Sequence, residues 1–223
     1  MKIIKLIGGL GNQMFQYAFY MGLQHYFPTD EFYFDTHFYD SFKMHNGIEL
    51  SEIFNIEIPE ANNSQLHELT RYTCNYKLSR LMRKFLPKLK TEIVEPNDFL
   101  FFEKVYSEGD FYYDGYWQNL NYFNFMKNDI LNVFRFNDFE DKKNITVAQC
   151  IREENSVSIH IRRGDYLKSK LYRNTCELEY YIKSIEFMIS KIKNACFYVF
   201  SNDIEWCKIN IGPICKNHKI EYN

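Results

Sequence analysis

The stretch "IIKLIGGLGNQMFQYAFYM", residues 3–21, joins two kinds of periodicity through a pair of glycines. Residues 3–7, "IIKLI", form the short apolar run of a buried strand. From Asn12 the pattern turns helical: Met14, Tyr17 with Ala18, Met21 and His25 recur at steps of three and four. "EFYFD", residues 31–35, then reads as a second strand. Strand, glycine turn, helix, strand is the unit of a parallel α/β sheet. Glycines at such a junction let the backbone approach a ligand, and the helix start offers N–H groups and a positive dipole end. Gly9-x-Gly11 is not a dinucleotide fingerprint, because Met14 stands where the third glycine belongs. No Lys-Ser/Thr follows to make a Walker loop. The junction is either a ligand loop, with Asn12 and Gln13 as polar amides at its mouth, or a tight turn.

Further along, "FYYDGYW" (111–117) reads as a strand ending near Gly115, and "NLNYFNFMKNDILNVF" (119–134) as a helix. "NDFEDKKN" (137–144) is a polar run and the best linker. Beyond it the α/β pattern restarts with "VSIHI" (157–161), a loop, a helix and the strand "ACFYVFS" (195–201). Asn174 with Glu177 has the form of a capping box, and Leu178, Tyr181, Ile182, Ile185, Ile189 and Ile192 share one helix face. "DIEWCKINI" opens the next helix. Two α/β domains in tandem are expected, residues 1–150 and 151–223, the second incomplete.

Composition narrows the function. The chain has 223 residues and a net charge of −2, which gives no sign of a general nucleic-acid binder. Its 18 Tyr and 21 Phe suit either an aromatic core or a sugar-binding cleft, where ring faces meet C–H faces. Six cysteines without C-x-x-C or zinc-finger spacing read as reduced thiols. The N-terminal apolar run is too short for a signal peptide, so a cytoplasmic protein is expected, and the "RGD" tripeptide at 163–165 is not an adhesion signal in such a protein. "RYTCNYKLSRLMRKFLPKLK" (71–90) is basic and amphipathic; it is either a solvated surface helix or a peripheral contact with an anionic inner-membrane surface.

Chemistry concentrates in "SVSIHIRRGDYL", residues 156–167. Parallel sheets hold ligands beyond the carboxyl ends of their strands, and Arg162 and Arg163 lie there. A guanidinium is a permanently charged fork suited to phosphate oxygens, and it stabilises charge on a departing diphosphate. His160 could hold a phosphate or an arginine, and Asp165 could orient one guanidinium or pair with Arg163 in a plain salt bridge. "FYVFSNDIEW" (197–206) ends a neighbouring strand in Ser201 and Asn202, as a helix cap or as a nucleotide contact. No D-x-D stands at a strand end, so no metal site is expected and arginine would hold the diphosphate.

Five blocks carry a resemblance: "GGLGNQMFQYAF" (8–19), "HNGIELSEIFNI" (45–56), "DGYWQNLNYF" (114–123), "HIRRGDYL" (160–167) and "FSNDIEWCK" (200–208). In order, over essentially the whole chain, they resemble the bacterial-type α-1,2-fucosyltransferases of glycosyltransferase family 11. The resemblance implies a GT-B-like fold of two Rossmann-like domains, with the Gly-rich loop on the acceptor side. It implies inverting transfer of fucose from GDP-fucose to the 2-hydroxyl of a terminal galactose, without an essential metal or a cofactor. The acceptor would be a galactose-terminated oligosaccharide or a lipid-linked glycan. Arg162, matching the first arginine of H-x-R-R-x-D, is the implied catalytic contact to the diphosphate. His160, Arg163, Asp165, Gly9, Gly11, Asn12, Ser201 and Asn202 are the implied GDP-fucose contacts. No motif position identifies a general base; Asp35 and Asp114 are the available carboxylates. The family commonly has "FSDD" where this chain has Ser201-Asn202-Asp203, and it continues into a Ser/Trp-rich block. Here the only tryptophans are Trp117 and Trp206, so the second domain is expected to be truncated. The alternative is an inactive nucleotide- or glycan-binding relative of the same fold.

Overall fold

The computed structural model describes residues 1–41, 46–71, 81, 82, 84–96, 99–168, 170 and 175–223, without the side chains of Ser41, Asp165 and Lys168. Half of the basic stretch 71–90, its residues 72–80 and 83, and Asn174 lie outside these residues. The chain divides into two units, Met1–Asn137 and Asp138–Asn223.

In the first unit, β1 (Lys2–Lys5) is buried at every position. It pairs in parallel with β2 (Phe32–Asp35) on one side and with β4 (Phe111–Asp114) on the other; β4 pairs in parallel with β3 (Glu92–Val94). A strand buried on both faces explains the apolar run "IIKLI". Its two lysines are the exceptions, and both find partners. Lys2 Nζ donates to the Gly109 carbonyl at 2.7 Å and pairs with Asp30 at 3.1 Å. Lys5 Nζ pairs with Asp114 at 3.0 Å, buried.

The strand order β2-β1-β4-β3 places the topological switch point between β1 and β4. α1 (Leu10–Tyr26) starts two residues earlier than its hydrophobic period suggests, with extended Gly9 at the cap position. Gly22 in this helix meets the turn Leu120–Tyr122 so closely that a Cβ would come within 2.3 Å of the Tyr122 carbonyl. The segment 119–134 is accordingly not one helix. It breaks into 3₁₀ turns at Leu120–Tyr122 and Asn124–Met126 before an α-helix at Lys127–Val133. The Asn119 side chain competes for the Asn121 N–H, and Phe123 leaves helical geometry at φ −152°.

A group of aromatics forms the centre of this unit's core. Phe19 stacks on Trp117 at 4.4 Å, with Tyr113 and Tyr122 edge-on to its ring, and all four are fully buried.

In the second unit, β5 (Ser156–Ile161), β6 (Cys196–Ser201) and β7 (Ile220–Tyr222) form a parallel sheet in that order. The division between units falls earlier than residue 150, because Lys142–Glu153 is one helix, capped by the Asp141 side chain. Its C-terminal end is tied to β5 by the Ser156 hydroxyl donating to the Ile151 carbonyl at 2.8 Å. The helix Leu178–Lys191 covers the sheet with Tyr181 and Ile185. It begins after Glu177, which stands at the cap position without a side-chain bond, rather than at the third helical position of a box. Cys150, Cys176, Cys196, Cys207 and Cys215 are free thiols, and burial pushes Cys215 up to about 11. No helix among the described residues is long and apolar enough to cross a membrane.

Candidate active site

At the carboxyl edge of the second sheet, β5 alternates so that Ile159 and Ile161 face inward and His160 outward. The strand then releases Arg162 and Arg163, which differ in exposure. Arg163 is held. Its Nε donates to Asp203 at 3.1 Å and its guanidinium lies 3.9 Å over the Trp206 ring. Asp203, and neither Ser201 nor Asn202, caps the following helix (Ile204–Asn210), accepting from the Trp206 N–H. Arg163 therefore takes Asp203 as its carboxylate, a choice hidden in sequence because the two are forty residues apart.

The other residues of the neighbouring strand end are also engaged. Asn202 Oδ1 accepts from the backbone N–H groups of Arg163 at 2.9 Å and Gly164 at 3.3 Å. A Cβ on Gly164 would stand 2.7 Å from the Asn202 side-chain amide, so a larger residue here would push that amide aside. The Ser201 hydroxyl donates to the Ile161 carbonyl at 2.7 Å and accepts from the Asp203 N–H. Together these bonds bind the end of β6 to the loop after β5. Asp165 sits in the short helix Gly164–Lys168.

Arg162 is exposed, with its guanidinium 4.7 Å over the Tyr166 ring. With His160 it lines two hollows. One, of about 190 Å³, is also walled by Tyr166, Leu167 and Tyr181; the other, of about 380 Å³, by Phe200, Ser201 and Asn202. A permanent cation beside a ring nitrogen at a strand end is suited to an anionic group.

The Gly-rich loop of the first unit is built by two glutamines. Gln13 and Gln16 are fully buried. Gln13 donates to the carbonyls of Gly8 and Gly47, at 3.2 and 2.8 Å, and accepts from the Glu49 N–H at 2.9 Å. Gln16 accepts from the Ile7 N–H and donates to the Gly115 carbonyl, both at 3.0 Å. Gln13 is thus spent on the scaffold. Gly8 needs its residue type: φ is +84°, and a Cβ would lie 2.3 Å from the Asn12 amide. A Cβ on Gly11 would meet nothing within 4 Å, so the space beside it is open. Asn12 accepts from Gln118 Nε2 at 2.7 Å, which links the loops after β1 and β4 at the switch point.

The two carboxylates considered as bases are tied differently. Asp114 holds Lys5. Asp35, nearly buried, accepts from the Tyr112 hydroxyl at 2.6 Å and from His37 Nδ1 at 2.9 Å and backbone N–H at 3.1 Å. Burial works to raise this carboxyl, but the bonds from His37 and Tyr112 outweigh it and hold it below the usual range. The His37 ring is raised, chiefly by its bond to Asp35 and against the opposing effect of burial. Sequence reasoning missed His37; its signal was the position two residues after a strand-terminal aspartate.

Comparison of the sequence with known proteins identifies a family. The glycosyl transferase family 11 model matches residues 1–223. The chain belongs to glycosyltransferase family 11. The family 11 chain is 33 % identical to an alpha-1,2-colitosyltransferase of Escherichia coli over 92 % of its own length and 70 % of the relative's. It is 26 % identical to the O-antigen biosynthesis glycosyltransferase WbnK of Escherichia coli, covering 98 % and 80 %. It is also 26 % identical to galactoside alpha-(1,2)-fucosyltransferase 2 of Hylobates lar, covering 95 % of the chain and 56 % of that protein. No solved structure matches it. A family 11 glycosyltransferase acts with a nucleotide-sugar donor and a glycan acceptor, and the mixed α/β architecture with parallel sheets is consistent with a Rossmann-like enzyme of that kind.

Proposed function

We propose that this chain transfers fucose from GDP-fucose to the 2-hydroxyl of a terminal galactose, as an inverting enzyme with two Rossmann-like domains in the GT-B manner. The observation that carries the reading is the whole-chain family match together with Arg162, exposed beside His160 at the carboxyl end of β5. The acceptor oxygen attacks the anomeric carbon from the face opposite the diphosphate, and its proton passes to a base or to water. The bond to the diphosphate oxygen breaks, and its electron pair leaves with the nucleotide. Arg162 offsets the charge that accumulates there, the role of a preorganised cation at a leaving group. No step of this reaction calls for a metal. Arg163 serves by keeping the loop in place through Asp203 and Trp206. His160 is a second donor to the nucleotide. We place the enzyme in the cytoplasm, with a lipid-linked glycan at the membrane surface as one acceptor.

A second reading substitutes colitose for fucose, favoured by the relative at 33 % identity. The test is incubation with GDP-fucose and methyl β-galactoside, following GDP release and fucosylated product together. Both should appear in step. Product from a colitose donor alone moves the chain to the second reading. GDP binding without either product makes it an inactive relative.

A further inference from the structure

The pair Asp35–His37 does something the donor site does not need. Asp35 ends β2 at the carboxyl edge of the first sheet, where parallel sheets present ligands. It is 4 % exposed, and its oxygens accept three hydrogen bonds, two of them from His37. A carboxylate held ionised by these donors leaves His37 Nδ1 as the protonated nitrogen. The other ring nitrogen, Nε2, is then the basic one, and it has no partner among the described residues. The same ring is one wall of a cavity of about 460 Å³, within the roughly 300–1,000 Å³ of small-molecule sites.

The cavity suits a polyhydroxylated ligand. Its other walls include Tyr39, Asp40, Glu60, Asn62 and Asn63. The wall carrying Glu60 is not a loose loop. Phe34 and Glu60 form a parallel bridge, with Phe34 N–H donating to the Pro59 carbonyl at 2.8 Å and Ala61 N–H to the Phe34 carbonyl at 2.9 Å. On the opposite side the Tyr39 hydroxyl donates to the Gly8 carbonyl at 2.9 Å, which joins the cavity to the Gly-rich loop. A histidine oriented by a buried carboxylate, facing an open, largely polar hollow, is the arrangement of a general base.

We infer that this cavity receives the acceptor sugar and that His37 removes the proton of its attacking hydroxyl, with Asp35 as the positioning residue. The inference rests on the glycosyl-transfer reading above. In the step, the Nε2 lone pair takes the hydroxyl proton as the oxygen bonds to the anomeric carbon of the donor. The anomeric carbon–oxygen bond to the diphosphate breaks with its electrons on the diphosphate. The imidazolium, stabilised by Asp35, afterwards returns its proton to water.

The groups facing the ring are Asp35, Asp40 and Glu60, all acting to raise it, with burial opposing them. A protonated ring cannot accept a proton. The transfer rate should therefore climb with pH through a value above the ordinary histidine value of about 6.5 and level off beyond it.

The test uses the full chain with GDP-fucose and methyl β-galactoside, wild type beside His37→Gln and Asp35→Asn. We expect His37→Gln to lower kcat about 100-fold or more, the usual share of a general base. GDP affinity should stay within about twofold, and the acid limb should vanish. Asp35→Asn should move that limb to lower pH, which loss of structure alone would not do. An acid limb that survives in His37→Gln, whatever the loss of rate, overturns the inference. Should the wild type make no product, the transfer reading fails first. The cavity is then decided by imidazole NMR: methyl β-galactoside shifting the signals that His37→Gln removes supports a glycan site, and unmoved signals overturn it.

Discussion

Adjacent arginines at a strand end look interchangeable and are not. Arg163 is bracketed by a carboxylate and an indole face, at 3.1 and 3.9 Å, while Arg162 stands exposed against Tyr166. The Arg163 pair is partly exposed, so solvent reduces its worth. An ion pair of that kind contributes roughly 0.2–1 kcal/mol and a cation–π contact roughly 0.5–1. Arg163→Ala should then lower the stability of the second unit by about 1 kcal/mol in denaturant unfolding, and Arg163→Lys should recover only part of it because a point charge cannot both fork and stack. The sequence makes both arginines visible as a cationic cluster. It does not reveal the division of labour, because Asp203 and Trp206 belong to the next helix and reach Arg163 only once β5 and β6 lie side by side. Gln13 shows the same limit from the other direction. Its place at the helix mouth suggested a ligand amide, yet burial and three backbone partners commit it to the scaffold.

Among the elements, those with long and regular periods were the legible ones. The helix Leu178–Lys191 places Tyr181 and Ile185 against the sheet, as the three-and-four spacing requires. Ile185 is 3 % exposed, so Ile185→Ala should cost about 2–4 kcal/mol through lost burial and the cavity left behind, measured as a lower denaturation midpoint with an unchanged slope. Strands β1, β2, β4, β5 and β6 announce themselves as apolar runs next to turn residues. β3 does not, being only three residues, Glu92–Val94, with one buried side chain. The segment 119–134 misled for a physical reason. Its composition suits a helix, but the close passage of Tyr122 over Gly22 and the Asn119 side chain hold it in short 3₁₀ turns.

At the scale of the molecule, two parallel sheets with separate cores each end in charged or ionisable side chains. The second unit presents a cation at the end of β5, and the first presents a carboxylate–histidine pair at the end of β2. The restart of the strand–loop–helix pattern after residue 144 is matched by a second parallel sheet, β5-β6-β7. The boundary was less legible, because a polar run can be a linker or the start of a solvent-exposed helix, and here its last residues, from Lys142, open one. The two arginines at the end of β5 were visible in the sequence because arginines are distinctive at a strand end. The histidine site was not, since its meaning depends on Tyr112 and Glu60, brought together by strands distant in sequence. The central claim is that Arg162 contacts the nucleotide diphosphate. Calorimetric titration of GDP into the wild type and Arg162→Ala tests it most directly. The account predicts measurable binding in the wild type, weakened about tenfold or more in Arg162→Ala at an unchanged melting temperature; equal affinity in the two proteins would contradict it.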